Sequence, residues 1–491
     1  MSHSFFSRGR VVLRLAVLLL SANGVASAAA EALQSCRVVG LRHPAQCGVM
    51  KRPLDPSRPG GIQIDIHYVV VPALARRKLP DPVFLLAGGP GQSAVSLAPQ
   101  VLALFARLNN RRDIVLVDQR GTGLSAPLLC DDTRARPLVE LADPSVQLRE
   151  MNRCREQLQA LPYGDLRFFT TTLAMQDLDA VRRQLGAARI NLIGASYGTR
   201  AALDYQRQFP AAVRRSVLDG VAPSDMVLPT SMSTDNQAAF DALLRDCEQA
   251  PDCRTSQPNL RRDASALFKQ LPVTVTAAHP LTGQRETFVY SRDMLLAALR
   301  GPLYSPSMSS ALPRAISEAA AGRFEGLLGL AGVMAPRKGA ALALGMHFSV
   351  ICAEDVPHQQ ASPKPVSAEF GDSTAQLYAK VCAGWPRGAV PAAFYDVPTA
   401  GAPVLLLSGG LDPATPPRHA QRVARALGAK AVNMVVPNAG HGVMSVGCVR
   451  DVIFKFIDAE EDEFAQKVLT DCAASVPRPL VFQPPRWEAK P

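Results

Sequence analysis

The sequence predicts an α/β protein: a mostly parallel sheet flanked by helices, with a mainly helical segment inserted into it. Three observations carry this. Val83-Phe84-Leu85-Leu86-Ala87 and Ile114-Val115-Leu116-Val117 are short, continuous apolar runs, the pattern of strands buried on both faces. Helical spacing alternates with such runs: Val101 to Ala106 lies between these two, and Leu178, Val181 and Leu185 share one helix face. The alternation stops near Pro223 and resumes at Pro403.

The individual elements follow in order. Ile62 to Val69 alternates with period two, as a half-buried strand does. Arg189-Ile190-Asn191-Leu192-Ile193 reads as a buried strand and Thr199 to Tyr205 as the helix after it. Ser216-Val217-Leu218 is the next strand. From 224 to about 395 most segments read as helices. One is capped by Ser291 ahead of Met294, Leu295 and Leu299, and another carries Leu312, Ile316 and Ala319. A strand-like pair, Val273-Thr274-Val275 and Thr287 to Tyr290, interrupts them. Strands return at Val404 to Ser408 and Ala431 to Val436, with a helix from Arg418 to Leu427 between them and another from Val449. The expected organisation is a core in two parts, 29–222 and 396–475, a cap over 223–395, and a proline-rich surface tail over 476–491.

At 491 residues the chain can bury a large core. The formal charge of +11 comes from Lys and Arg scattered among acids, not from basic blocks, so no nucleic-acid partner is expected. Arg8, Arg10 and Arg14, the apolar Leu15 to Leu20, and Ala26-Ser27-Ala28 have the order of a signal peptide over 1–28. Its apolar run is too short to span a bilayer. The expectation is therefore an exported protein, periplasmic or extracellular, with no stable membrane anchor after cleavage. The ten cysteines, an even number, fall into sequence-local couples, for which neighbour pairing is the simplest arrangement. Spacing does not fix the connectivity. No Cys-x-x-Cys or Cys/His cluster has zinc spacing, so no metal site is expected.

The chemistry concentrates in Gly194-Ala195-Ser196-Tyr197-Gly198. A G-x-S-x-G run between a strand and a helix is the setting of a nucleophile elbow. A serine hydroxyl is a weak nucleophile and needs a base, and the base needs an orienting acid. In this setting the chain order is Ser, acid, His. Asp412 lies just beyond one late apolar strand and His441 just beyond the next, where open α/β sheets gather their sites. Asp219, at the end of Ser216-Val217-Leu218, competes with Asp412 for the acid role. The oxyanion needs preorganised N–H donors. Tyr197 supplies one, directly after the serine. Gly88-Gly89-Pro90-Gly91 supplies the other, with Gly89 preferred because Pro90 has no N–H.

These residues carry a resemblance. Gly88-Gly89-Pro90-Gly91, Asp118-Gln119-Arg120-Gly121-Thr122-Gly123 and Gly194-Ala195-Ser196-Tyr197-Gly198-Thr199, with Thr171, Asp177-Leu178-Asp179 and Leu185-Gly186, are similar to α/β-hydrolase serine peptidases of the prolyl iminopeptidase group. The similarity is greatest to its secreted tripeptidyl aminopeptidase-like branch. One departure is Ala87, where prolyl iminopeptidases usually have His. The resemblance implies the α/β-hydrolase fold with a cap, Ser196 as nucleophile, Asp412 as acid, His441 as base, and oxyanion donors at Gly89 and Tyr197. It implies no cofactor. The Asp118 to Gly121 loop would border the site or hold itself through an internal ion pair. Cys352-Ala353-Glu354-Asp355 resembles an acidic segment of that branch, which makes Glu354, with Asp355 second, an anchor for a substrate amine; the alternative is a structural role. The activity implied is an aminopeptidase releasing short N-terminal fragments from peptides with a free N-terminus. A carboxylesterase on the same scaffold is the alternative, and a catalytically silent binding protein the third reading.

Overall fold

The computed structural model describes residues 33–333, 342–359, 369–399 and 401–482. The expected signal segment and the end of the tail lie outside these.

The core is a nine-stranded sheet. Its strands are β1 (Gln34–Cys36), β2 (Ala45–Pro53), β3 (Gln63–Val71), β4 (Val83–Leu86), β5 (Ile114–Val117), β6 (Ile190–Ala195), β7 (Val213–Asp219), β10 (Val404–Gly409) and β11 (Ala431–Val436); β8 (Val273–Ala278) and β9 (Arg285–Tyr290) form a separate hairpin. The order is β1-β2-β3-β5-β4-β6-β7-β10-β11. The first three strands pair antiparallel and the other six run parallel.

Burial alternates along each parallel strand between two cores. Phe84, Leu86, Val115, Leu192, Leu218 and Leu406 face one, and Val83, Leu85, Ile114, Ile193, Val217 and Leu405 face the other. In β4 and β5 apolar residues therefore continue without a polar break, because both faces are covered. The principal core helices are α1 (Ala98–Asn109), α2 (Pro144–Gln159), α3 (Thr171–Gln184) and α4 (Tyr197–Gln208).

After β7 the chain enters a helical region: α5 (Leu228–Gln249), α6 (Leu260–Gln270), α7 (Arg292–Leu303), α8 (Leu312–Ala320), α9 (Glu325–Val333), α10 (Leu344–Glu354) and α11 (Ser373–Ala383). Phe240, Leu243, Leu267, Leu295, Leu299 and Ile316 pack a core of their own there. Ser291 begins α7 as expected, its Oγ accepting the Met294 N–H at 3.2 Å. The chain then returns to the sheet through β10, α12 (Pro417–Leu427), β11 and α13 (Val449–Asp458).

The ten cysteines form five disulfides: Cys36–Cys47, Cys130–Cys154, Cys247–Cys253, Cys352–Cys382 and Cys448–Cys472. Each joins sequence neighbours, and none of the cysteines is free. Five disulfides fit an oxidising compartment. Among the described residues no helix is long and apolar enough to cross a membrane.

Candidate active site

Ser196 stands between β6 and α4 with φ +56° and ψ −123°. Non-glycine residues rarely adopt this backbone, which costs about 1–3 kcal/mol and persists only where its surroundings enforce it. Here they do. The Ser196 N–H donates to the Asp219 carbonyl at 2.8 Å, and the Ser196 carbonyl accepts from Thr199 N–H and Oγ1–H at 2.9 and 2.6 Å. Two residues on, a Cβ at position 198 would lie 2.1 Å from the Leu86 carbonyl oxygen. Glycine at 198 is thus what lets α4 abut the end of β4. The same approach brings the next loop over Ser196: a Cβ at Gly88 would stand 3.2 Å from the Ser196 Cβ. Tyr197 N–H is the first amide of α4 and has no acceptor within its helix. The Gly88–Gly91 turn lies beside it.

His441 follows β11, and Asp412 follows β10. The His441 Nδ1 is 2.9 and 3.0 Å from the two Asp412 carboxylate oxygens. The same carboxylate accepts Ala414 N–H at 2.8 Å, Thr415 N–H at 2.9 Å and the Thr415 hydroxyl at 2.8 Å. A carboxylate only accepts, so Nδ1 carries the proton and Nε2 offers its lone pair. Burial alone would push the imidazole pKa down. The Asp412 charge and hydrogen bond, helped by Asp219, outweigh it and hold His441 above its ordinary value. Burial likewise pushes Asp412 up, but His441 and the loop N–H groups bring it below the ordinary carboxylate value.

Asp219 does not share the imidazole. Its carboxylate accepts the backbone N–H groups of Val443, at 2.8 and 3.0 Å, and Met444, at 3.0 Å. Burial pushes it up to about 6 against those N–H groups. Through its carbonyl it also holds Ser196. This one residue thus ties the serine turn to the loop of the base. Gly220 next to it brings the two closer still, since a Cβ there would stand 3.1 Å from His441 Cε1.

The structure corrects one expectation. Glu354 and Asp355 are each 1% exposed, at the end of α10, with protein groups as partners. Glu354 accepts Thr171 N–H at 2.7 Å and the Thr171 hydroxyl at 2.9 Å. Asp355 accepts both ends of the Arg200 guanidinium, at 2.9 and 3.1 Å, and Leu228 N–H at 2.9 Å. Their oxygens are engaged below the elbow helix, so neither is available to a substrate amine. The Asp118 to Gly121 loop is likewise held from inside, Arg120 pairing bidentately with Asp177 at 2.7 and 2.9 Å.

Three site neighbours were not singled out from the sequence. Thr415 buttresses Asp412, a role readable from its place three residues on. The Tyr304 carbonyl accepts His441 N–H at 2.8 Å, and its ring meets the imidazole edge-on. His347 touches the Gly88–Gly91 turn from α10. The last two come from the distant helical region and carry no local signal.

Known proteins agree with this architecture. Residues 81–308 match the family described as alpha/beta hydrolase fold, and residues 365–463 match the family described as TAP-like protein. A tripeptidyl aminopeptidase of Streptomyces lividans is 31% identical over 220 residues, 42% of this chain and 41% of that protein. The serine protease Hip1 of Mycobacterium tuberculosis is 27% identical over 310 residues, 58% of each chain. A carboxylesterase B of the same organism is 27% identical over 432 residues, 79% of each. The match thus takes in less than half of the Streptomyces protein's own length. With its parallel sheet, its elbow serine between β6 and α4, and the match over residues 81–308, the chain has the α/β-hydrolase fold.

Proposed function

We propose that this protein is an exported serine peptidase that releases short fragments from the free N-termini of peptides. The observation that carries the reading is the His441–Asp412 pair at 2.9 Å, set at the carboxyl ends of adjacent strands and tied through Asp219 to the strained Ser196 turn. Ser196 Oγ attacks the scissile carbonyl as His441 Nε2 takes its proton. Asp412 fixes the imidazole tautomer and stabilises the cation that forms. Gly89 and Tyr197 N–H groups receive the oxyanion. His441 returns its proton to the leaving amine, and water activated by the same imidazole then hydrolyses the acyl-enzyme. The choice of peptide N-termini rests on the likeness to tripeptidyl aminopeptidases. Export rests on the five disulfides and the signal-like N-terminus.

A second reading, a carboxylesterase, is favoured by the longer match to carboxylesterase B. The same triad serves esters and amides. One experiment separates the two. The mature protein is treated with a fluorophosphonate probe, then assayed on aminoacyl-, dipeptidyl- and tripeptidyl-arylamides, their N-acetylated forms, and short-chain esters. The peptidase reading expects labelling at Ser196 and turnover of free-amine arylamides over acetylated ones. Ester turnover with no arylamide turnover replaces it by the esterase. No labelling at Ser196 sinks both.

A further inference from the structure

The Gly88–Gly91 turn has two residues at positive φ, Gly89 at +114° and Gly91 at +106°. Glycines of this kind give a backbone many alternatives. An oxyanion donor, however, works only if it is aimed before the reaction. Something outside the turn must therefore hold it. The Gly88 carbonyl accepts Gln92 N–H at 3.2 Å, and the Gly91 carbonyl accepts Ala343 N–H at 2.9 Å, just before α10. Between them the Pro90 carbonyl meets the Nδ1 of buried His347, one turn into α10, at 3.2 Å.

The far side of that imidazole is also fixed. His347 Nε2 lies 2.8 Å from the Tyr378 hydroxyl on α11. A carbonyl can only accept, so Nδ1 must carry the proton. Nε2 is then the acceptor and Tyr378 O–H donates to it. Burial lowers the His347 pKa, which keeps the ring neutral and this tautomer available. Around α10 the contacts are close. Gly345 N–H donates to the Leu128 carbonyl at 3.0 Å, and a Cβ at Gly91 would stand 2.7 Å from the Ala343 carbonyl oxygen. The helix start is seated on the turn by backbone contact, and the His347 side chain reaches a turn carbonyl from the same helix.

We propose that His347 is a positioning residue for the oxyanion site: its Nδ1–H, in the tautomer that the Pro90 carbonyl selects and Tyr378 supports from the far side, fixes the Pro90 carbonyl and so aims the Gly89 N–H at the reacting carbonyl. This rests on Ser196 being the nucleophile. It does not rest on peptides being the substrate. The helical region then contributes to the chemical step, beyond covering it.

The test compares His347→Phe, His347→Asn and Tyr378→Phe with the unaltered protein, on both a short-chain ester and an arylamide. His347→Phe lowers kcat about 10- to 100-fold with KM changed less than about threefold, the pattern of an interaction used in the transition state. A trifluoromethyl ketone, which forms an oxyanion on Ser196, loses affinity by the same factor. In His347→Asn the amide nitrogen stands where Nδ1 stood and restores kcat to within about fivefold. Tyr378→Phe removes the hydroxyl that holds the imidazole from its far side and gives an intermediate loss of kcat; it also decides the matter if His347→Phe does not fold. The proposal is overturned if kcat is kept in folded His347→Phe or in Tyr378→Phe, if only KM rises, or if His347→Asn fails to rescue. If the unaltered protein turns over the ester alone, the peptidase reading falls and His347 is judged on the ester. If Ser196 takes no fluorophosphonate, both fall.

Discussion

Replacing Asp412 by asparagine removes a charge while keeping shape, and the structure fixes how the new amide must sit. Oδ1 accepts two backbone donors, Ala414 N–H and Thr415 N–H, at 2.8 and 2.9 Å. These cannot turn away. The amide oxygen is therefore pinned at Oδ1 and the NH2 group falls at Oδ2. There it faces the Thr415 hydroxyl, which can rotate to accept, and His441 Nδ1 at 2.9 Å. An N–H aimed at Nδ1 favours the tautomer with its proton on Nε2, which cannot take the proton of Ser196. The imidazolium also loses its counter-charge. The expected fall in kcat is about 10³- to 10⁴-fold, as for the same change in other Ser-His-Asp enzymes. At about 1.36 kcal/mol per decade this is about 4–5.5 kcal/mol of transition-state stabilisation. Asp219→Asn keeps a carbonyl oxygen for Val443 and Met444 N–H and does not touch the ring, so its loss stays within about tenfold. Steady-state turnover and the fluorophosphonate labelling rate of Ser196 measure both variants. If Asp412→Asn stays within tenfold while Asp219→Asn collapses, the acid has been misassigned.

Three further outcomes follow. The base must be neutral to act, and Asp412 holds His441 above its ordinary value of 6.5. The acid limb of kcat/KM is accordingly centred above pH 6.5, activity falling as pH falls through it, and it shifts down in Asp412→Ala; a pH–rate profile with its limb below 6 contradicts the pairing. Burial raises Glu354 to about 8, against 4.5 when exposed. Its contribution to stability is thus full below pH 4.5 and lost as pH rises through 8. Glu354→Gln removes that loss, so its Tm exceeds that of the unaltered protein by more at pH 9 than at pH 5. Its turnover of free-amine arylamides stays within about threefold, whereas a selective loss on them alone would return Glu354 to the substrate amine. Finally, the methyl of Gly198→Ala would sit 2.1 Å from the Leu86 oxygen and 2.9 Å from the Ala87 oxygen, both of them backbone. That overpacking costs about 3 kcal/mol or more, and thermal melting should show it together with loss of Ser196 labelling.

The legible parts of this chain are those whose constraints are local. Gly194 and Gly198 are glycine because they meet each other and β4 across one turn, so five consecutive residues announce the elbow. Asp412 and His441 each follow an apolar run that forms one of the last two parallel strands of the sheet, and strand ends gather the site. β2 was not singled out because only Ala45 and Gly48 along it are fully buried, which leaves no clear alternation. The same holds for α2, where Cys154 and Leu158 are the buried positions of a polar helix. His347 and Tyr304 act from far along the chain and give no pattern at all.

Glu354 and Asp355 mark the boundary between what residue type tells and what placement tells. A buried carboxylate can hold a substrate amine or a protein cation, and the sequence around it reads the same in both cases. What decides is Arg200, one turn along α4 from the nucleophile. Its guanidinium takes Asp355 bidentately and stands 3.6 Å from Glu354, so two buried acidic side chains share one cation. Such a group is costly to bury, and the cost is offset only when every oxygen finds a donor. Thr171, Leu228 and Arg200 supply those donors, and the Thr171 hydroxyl in turn lies 2.7 Å from the Tyr197 hydroxyl. Tyr197 is the residue whose N–H the proposed mechanism gives to the oxyanion. The acidic pair is thus fastened to the underside of the elbow, and His347, seven residues earlier on the same helix, to the turn above it. A single helix, α10, thus braces both of the proposed oxyanion donors.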